Sequence, residues 1–292
     1  PTHESAVSTT AMSTGAMSIG AAVPGSDRQS DYFTVGAIKL VADGSPQGYT
    51  AYLSEPYFVP RNGDDDYRGH PRHTVSEWVS LIKRYRAHDL PIAIHTNGDA
   101  AIDDVLSALI QLGDSIGQTD NTDIMLVHAQ TMRQDQVALA ASLGITVSFF
   151  VSHIWYWGEW HAEQSLGPAR AAHISPTGWA ESAGLLYSLH SDAPVTPPSP
   201  LQLLWSATER QTPSGRVLGE SQRVSRLSAL RALTINAARQ ARVDHHRGSL
   251  EAGKAADFVV LSGDPLTVDD VRTLRILSTF VGGRHIFAAT RR

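Results

Sequence analysis

Cysteine is absent from the 292-residue chain, which excludes disulfides, thiolate metal sites, iron–sulfur clusters and cysteine nucleophiles. No apolar run approaches the ~18 residues of a membrane-spanning helix, so no membrane partner is expected. Charge is sparse and nearly balanced, with 24 Lys and Arg against 29 Asp and Glu and a formal net charge of −5. That balance argues against nucleic acid as a partner. The first residue is Pro1 rather than Met, and no basic-then-apolar leader follows it. The location expected by default is then cytoplasmic, with a removed leader or a longer parent protein as alternatives. Hydrophobic residues make up 42% of the chain and charged residues 18%, a balance that excludes disorder for its bulk.

Three regions follow from composition. Residues 1–33 are rich in Ser, Thr, Ala, Gly and Met and read as an irregular start or linker. Residues 34–245 alternate short apolar runs with helical patterns. The runs are 35–41, 90–95, 124–128, 145–150 and 185–192. Thr74 with Glu77 predicts a capping box ahead of the apolar stripe Val75, Trp78, Val79, Ile82, Tyr85. Asp99 is expected to cap the next helix, and Thr131 with Gln134 to form a second capping box. Continuous apolar strands alternating with helices predict a parallel sheet covered by helices. Residues 246–292 follow a helix around 228–239 and read as a β-rich appendage, with strands near 274–281 and 284–287 separated by Gly282–Gly283.

Histidine is abundant at 13 residues. Four polar residues, Lys39, His95, His128 and Asp192, fall in or at the ends of apolar strands. In parallel α/β folds that edge is where chemistry is placed. Neutral imidazoles bind zinc, and a carboxylate beside a metal-activated water takes its proton. A lone strand-end His is more often structural, but two of them and an Asp in successive βα units point to a shared site. Lys39, alone in an apolar strand, either snorkels, pairs with Asp43 or serves the site. Asp43 itself suits a turn.

The segments 94–101 (IHTNGDAA), 126–130 (LVHAQ) and 189–194 (LHSDAP) resemble the later barrel strands of the amidohydrolase superfamily. Residues 37–45 (AIKLVADGS) and 248–261 (GSLEAGKAADFVVL) narrow the resemblance to the amidohydrolase-3 group, which is similar to N-substituted formamide deformylase. The resemblance runs from about residue 34 to 288. It implies the later part, about five strands, of a (β/α)8 TIM-type barrel plus a small C-terminal β-sandwich appendage. It implies one or two divalent metal ions, with zinc the first choice and manganese, iron or cobalt able to serve. His95 and His128 match metal ligands, Asp192 matches the residue that touches metal and moves the proton, and Lys39 matches a lysine that bridges two metals when carboxylated. The implied reaction is hydrolysis of a C–N bond in a small amide-type substrate.

The superfamily's first metal motif, His-x-His, does not occur anywhere in the chain. About five strands are also fewer than the eight of a closed barrel. Both point to the C-terminal portion of a longer protein. This chain alone is then expected to turn over poorly, and an open sheet edge leaves room for a homo-oligomer. The rival expectation is a truncated or catalytically inactive member keeping the second half of the fold; a metal-free ligand-binding module is a third. Three of the six tryptophans, Trp155, Trp157 and Trp160, follow the strand ending at Phe150. They form either a core cluster or a lip on the site, where Trp155 and Trp157 would wall the substrate and His153 would donate to a carbonyl oxygen. Glu159 and His161 are expected on a solvated rim.

Overall fold

The computed structural model describes residues 36–88, 90–113 and 123–290; the expected irregular start at 1–33 lies outside them. Five strands, β1 (Ile38–Val41), β2 (Ile92–Thr96), β3 (Ile124–His128), β4 (Thr146–Phe149) and β5 (Tyr187–Leu189), form a parallel sheet in the order β1-β2-β3-β4-β5. Parallel neighbours need a crossover. Helices Val75–Arg86, Asp99–Gln111 and Gln134–Ser142 lie in the first three crossovers. The longer segment before β5 holds helices His153–Trp160, Gly167–Ala171 and Thr177–Ser182, with a π-helical turn at His161–Ser165. Alternate strand residues Ile38, Leu40, Ile92, Ile94, Ile124, Leu126, Val147 and Phe149 are buried in one core with Trp78, Ile82, Ile102 and Leu106 of the helices.

Local chemistry sets the helix ends. Thr74 Oγ1 accepts from the Glu77 amide at 3.3 Å, and Glu77 Oε2 accepts from the Thr74 amide at 2.8 Å, the expected capping box. The other two caps differ from expectation. Gly98, not Asp99, caps the helix Asp99–Gln111. Asp99 instead turns toward the loop after β1, where its Oδ1 accepts from the Ser54 amide at 3.0 Å. Thr131 is drawn to the end of β2, donating to the Asn97 carbonyl at 2.9 Å. The cap it vacates is filled by Gln136, whose Oε1 accepts from the Arg133 amide at 2.9 Å. Strand β5 is shorter than the apolar run 185–192; it ends at Leu189, and Asp192, three residues on, takes φ 50°.

After helix Pro200–Glu209, the helix expected around 228–239 is two, Arg226–Leu233 and Ile235–Gln240, broken at Thr234 with φ −125° and ψ −93°. Strands β6 (Phe258–Leu261), β7 (Ile276–Val281) and β8 (Arg284–Ala288) then form an antiparallel sheet. Gly282 and Gly283, both at positive φ, make the β7–β8 hairpin, as a two-residue turn of this hand requires. Among the described residues no helix is long and apolar enough to cross a membrane.

Gly98 is fixed by space rather than by torsion: a Cβ there would run into the Tyr52 backbone. Gly98→Ala is therefore expected to cost about 1–3 kcal/mol, the usual penalty of overpacking. A denaturant midpoint equal to the parent's would show that the two loops are not in contact.

Candidate active site

The pleat of the sheet decides which side chains meet. Lys39 pairs with Ala93 and Val41 with His95, and Val127 is the next residue in His95's row. These positions alternate with the buried core residues, so they occupy the sheet face away from the helices. His128 pairs with Thr96, so plain alternation would send its ring to the helix side. Positive φ values of 74° at His128 and 45° at Ala129 reverse that. The His128 ring then lies 4.6 Å from the His95 ring, centroid to centroid. Such backbone costs about 1–3 kcal/mol and persists where the surroundings enforce it.

His128 meets two further groups. Its Nδ1 is 3.0 Å from His190 Nε2, and the ligand atoms of His128, His190 and Asp192 all lie within 4.8 Å of one another. His190 is oriented from behind, its Nδ1 lying 2.9 Å from Ser148 Oγ, and Ser148 Oγ is 3.0 Å from Ser188 Oγ. The Phe150 ring stacks on His190 at 5.2 Å. Burial lowers the proton affinity of His128, with His190 and His95 adding to the effect. Burial likewise pushes His190 down to about 3, helped by Lys39 and His95. Both imidazoles are neutral at pH 7 and so carry a lone pair to offer a cation.

His95 stands beside this cluster, engaged with the loop after β1. Its Nε2 is 2.7 Å from the Gly44 carbonyl, 3.1 Å from Asn97 Nδ2 and 3.7 Å from Asp43 Oδ1. Asp43 is buried and accepts from the backbone amides of Tyr52 at 3.0 Å, Asn97 at 2.9 Å and Gly98 at 2.7 Å. It is more than a turn former, since it ties the ends of β1 and β2 together. Burial raises it to about 7 against those three donors. Lys39 and Asp192 are both exposed. Desolvation by nearby protein lowers the Lys39 ammonium while Asp192 opposes it.

A second group of imidazoles lies across Phe150. His153 packs 4.3 Å from the Phe150 ring and 4.8 Å from the Trp157 ring. His153 Nδ1 is 3.0 Å from His161 Nε2, and His161 Nδ1 is 3.0 Å from Ser165 Oγ. His161 and Ser165 are both 0% exposed, which corrects the expectation of a solvated His161: the residues around it form a helix and a π-helical turn rather than an open loop. Burial alone pushes His161 down to about 3. Burial and then His161 hold His153 well below the ordinary histidine value. Glu159 stays at the edge, accepting from the Ser214 amide at 3.1 Å. Trp157 sits beside His153, whereas Trp155 packs on Trp205 at 5.1 Å and under Arg272, in the helix-side core.

The structure thus brings together His95, His128 and Asp192 and adds His190, which sequence reasoning passed over. A signal for it existed: Ser188, His190 and Asp192 alternate with period two along and just past a buried strand, the pattern of a polar strand face.

The sequence profile of the amidohydrolase family matches residues 9–287. The chain is 31% identical over 256 residues to N-substituted formamide deformylase of Arthrobacter pascens, covering 85% of this chain and 45% of that protein. It is 30% identical over 264 residues to the Bacillus subtilis protein YtcJ, named as an amidohydrolase, covering 88% of this chain and 48% of that protein. Among solved structures it is similar to an uncharacterized metal-dependent hydrolase from Pyrococcus horikoshii, with TM-score 0.72 and 25% identity over 85% of this chain and 48% of the other. The chain spans about half the length of each of these proteins.

The neutral His161 predicts a pH dependence. Its native pKa of about 3 lies below the ordinary 6.5, so between these values the unfolded chain binds more protons than the native one. Stability should fall as pH drops from about 6.5 toward about 3 and be unaffected by this residue above that window. His161→Gln should flatten the dependence of the denaturation midpoint on pH in that range; an unchanged slope would contradict a buried neutral ring.

Proposed function

This chain belongs to the amidohydrolase family, in its amidohydrolase-3 group, and from that premise we propose that it serves metal-dependent hydrolysis of a C–N bond in a small amide-type substrate. The observation that carries the proposal is the cluster of His128, His190 and Asp192. The donor set fits a divalent cation on its chemistry: two neutral imidazoles and a carboxylate. It fits on spacing too. Ligands at about 2.1 Å from a tetrahedral ion lie roughly 3.4 Å from one another, and the His128–His190 nitrogen pair is at 3.0 Å. A divalent ion held there, zinc first, supplies Lewis-acid polarisation of water and of the scissile carbonyl.

The chain's own residues do the rest. Asp192, exposed at the strand end, takes a proton from the attacking water and returns it to the leaving nitrogen. His153 donates a hydrogen bond to the carbonyl oxygen as charge builds there. Trp157, beside His153, walls the acyl group; Trp155, in the core, steadies the helix that carries both. His95 would offer Nδ1 as a further ligand atom while its Nε2 stays on the Gly44 carbonyl, and Lys39 would serve only if carboxylated. Five sequential parallel strands with helical crossovers support a segment of a (β/α)8 barrel, residues 34–245, and the three-stranded sheet in 246–292 supports one layer of a β-sandwich. A non-catalytic member of the family is the second candidate, favoured by the absence of His-x-His from the sequence.

The test measures metal content after equilibration with Zn²⁺, Mn²⁺ or Co²⁺, together with hydrolysis of N-formyl and N-acyl amines. The expected outcome is bound metal that His128→Ala and His190→Ala each release. In a protein extended upstream to the length of its relatives, Asp192→Asn is expected to lower the rate by roughly 10²–10⁴-fold, the range of a general acid–base group, while Glu159→Gln leaves it nearly unchanged. Metal without turnover would favour the non-catalytic candidate. Turnover indifferent to Asp192→Asn would remove the assigned base.

A further inference from the structure

We propose that Gln240 is a positioning residue for the cation site: acting through Ser188 and Ser148, it holds the His190 ring with Nε2 toward His128. The proposal rests on the reading of His190 as a metal ligand given above. It extends that reading to a residue 52 positions after Ser188, on a helix that follows the sheet.

Both ring nitrogens of His190 are engaged. Nδ1 lies 2.9 Å from Ser148 Oγ, and Nε2 lies 3.0 Å from His128 Nδ1. A half-turn of the imidazole would put carbon at both places and lose both contacts. The partner on Nδ1 therefore keeps Nε2 on the cation side, as the group on the far nitrogen of a metal-binding imidazole does. A serine hydroxyl, however, has three staggered positions to choose from. Ser148 keeps the one that meets His190 only while something holds it there.

That hold runs through Ser188 to Gln240. Ser148 and Ser188 are register partners on β4 and β5. Both alternate with core residues, so their side chains share the sheet face that carries His95. Their Oγ atoms are 3.0 Å apart, and Ser188 Oγ also donates to Gln240 Oε1. The Gln240 carboxamide cannot turn over, because its Nε2 donates to the Val147 carbonyl at 2.9 Å; a half-turn would set oxygen against oxygen. Ser148, Ser188 and Gln240 are all buried, which shields these contacts from solvent. Gln240 ends the helix Ile235–Gln240. One turn earlier, on the same helix face, Asn236 Nδ2 donates to the Tyr187 carbonyl at 3.1 Å. Two side chains of one short helix thus brace β5, which is three residues long and, among the described residues, pairs only with β4.

The test is the affinity of the 292-residue chain for Zn²⁺, read by competition with a chromophoric chelator, with the thermal midpoint of the metal-free chain measured alongside. Gln240→Leu and Ser188→Ala are each expected to weaken Zn²⁺ binding by about 10–100-fold, the usual cost of losing a group that orients a ligand. Ser188→Ala removes a single buried hydroxyl, so the proposal is tested even where Gln240→Leu unfolds. In a His190→Ala background neither substitution is expected to cause further loss, an outcome that general loosening of the fold would not produce. A parent chain without measurable Zn²⁺ binding, or parent-like affinity in His190→Ala, overturns the ligand reading and this proposal with it. Where His190→Ala does lose affinity, parent-like affinity in Ser188→Ala or in a folded Gln240→Leu overturns this proposal alone. So does a further loss in either double variant.

Discussion

The candidate site depends on a backbone reversal at the end of β3. His128 and Asp192 both adopt positive φ, 74° and 50°, conformations that non-glycine residues take up only when the surroundings compensate. The reversal at His128 turns its imidazole across the sheet, away from the helix-side core that strand alternation would assign it. Asp192 lies three residues past the end of β5, with its side chain exposed. Without the turn at His128 its ligand atoms would stand on the opposite side of the sheet from those of His190 and Asp192, which alternation already places on one face. What holds the turn is ordinary packing. Ala129 donates to the Thr96 carbonyl at 2.7 Å and Thr131 to the Asn97 carbonyl at 3.0 Å through their backbones, so the loop after β3 is laced to the end of β2.

Two effects of burial then work together. Desolvation strips the protons from His128, His190, His153 and His161, and that neutrality makes imidazoles ligands and hydrogen-bond relays rather than cations. Phe150 divides them, stacking on His190 on one side and touching His153 on the other. On one side of this ring lie the imidazoles proposed to hold a cation; on the other lies His153, proposed to donate to the carbonyl oxygen. Asp192 lies in the open. The exposed Lys39 completes the open face of the sheet.

Much of this was legible in the sequence. Apolar runs of five to eight residues between helical patterns located all five strands, because continuous apolar strands that alternate with helices mark a parallel sheet. The capping box at Thr74 was legible because both partners lie within one turn. What could not be read had non-local causes. Asp99 and Thr131 carry capping side chains, but contacts with Ser54 and Asn97 outcompete the caps, and those partners lie 45 and 34 residues away. His161 looked like a rim residue because its neighbours Glu159 and Trp160 gave no hint of a π-helical turn. Asp43 looked like a turn residue because two of the amides it gathers, those of Asn97 and Gly98, lie on the next strand's loop. His190 needed a different signal: Ser188, His190 and Asp192 alternate along a polar strand face, which an apolar run does not register.

The central claim is that His128, His190 and Asp192 share one cation. Zinc K-edge X-ray absorption on the chain with one equivalent of Zn²⁺ addresses it directly. The expected spectrum has two imidazole nitrogens and a carboxylate oxygen at about 2.0–2.2 Å, with one imidazole lost in His190→Ala. A first shell of oxygen alone, or one that keeps both imidazoles in His190→Ala, would contradict it.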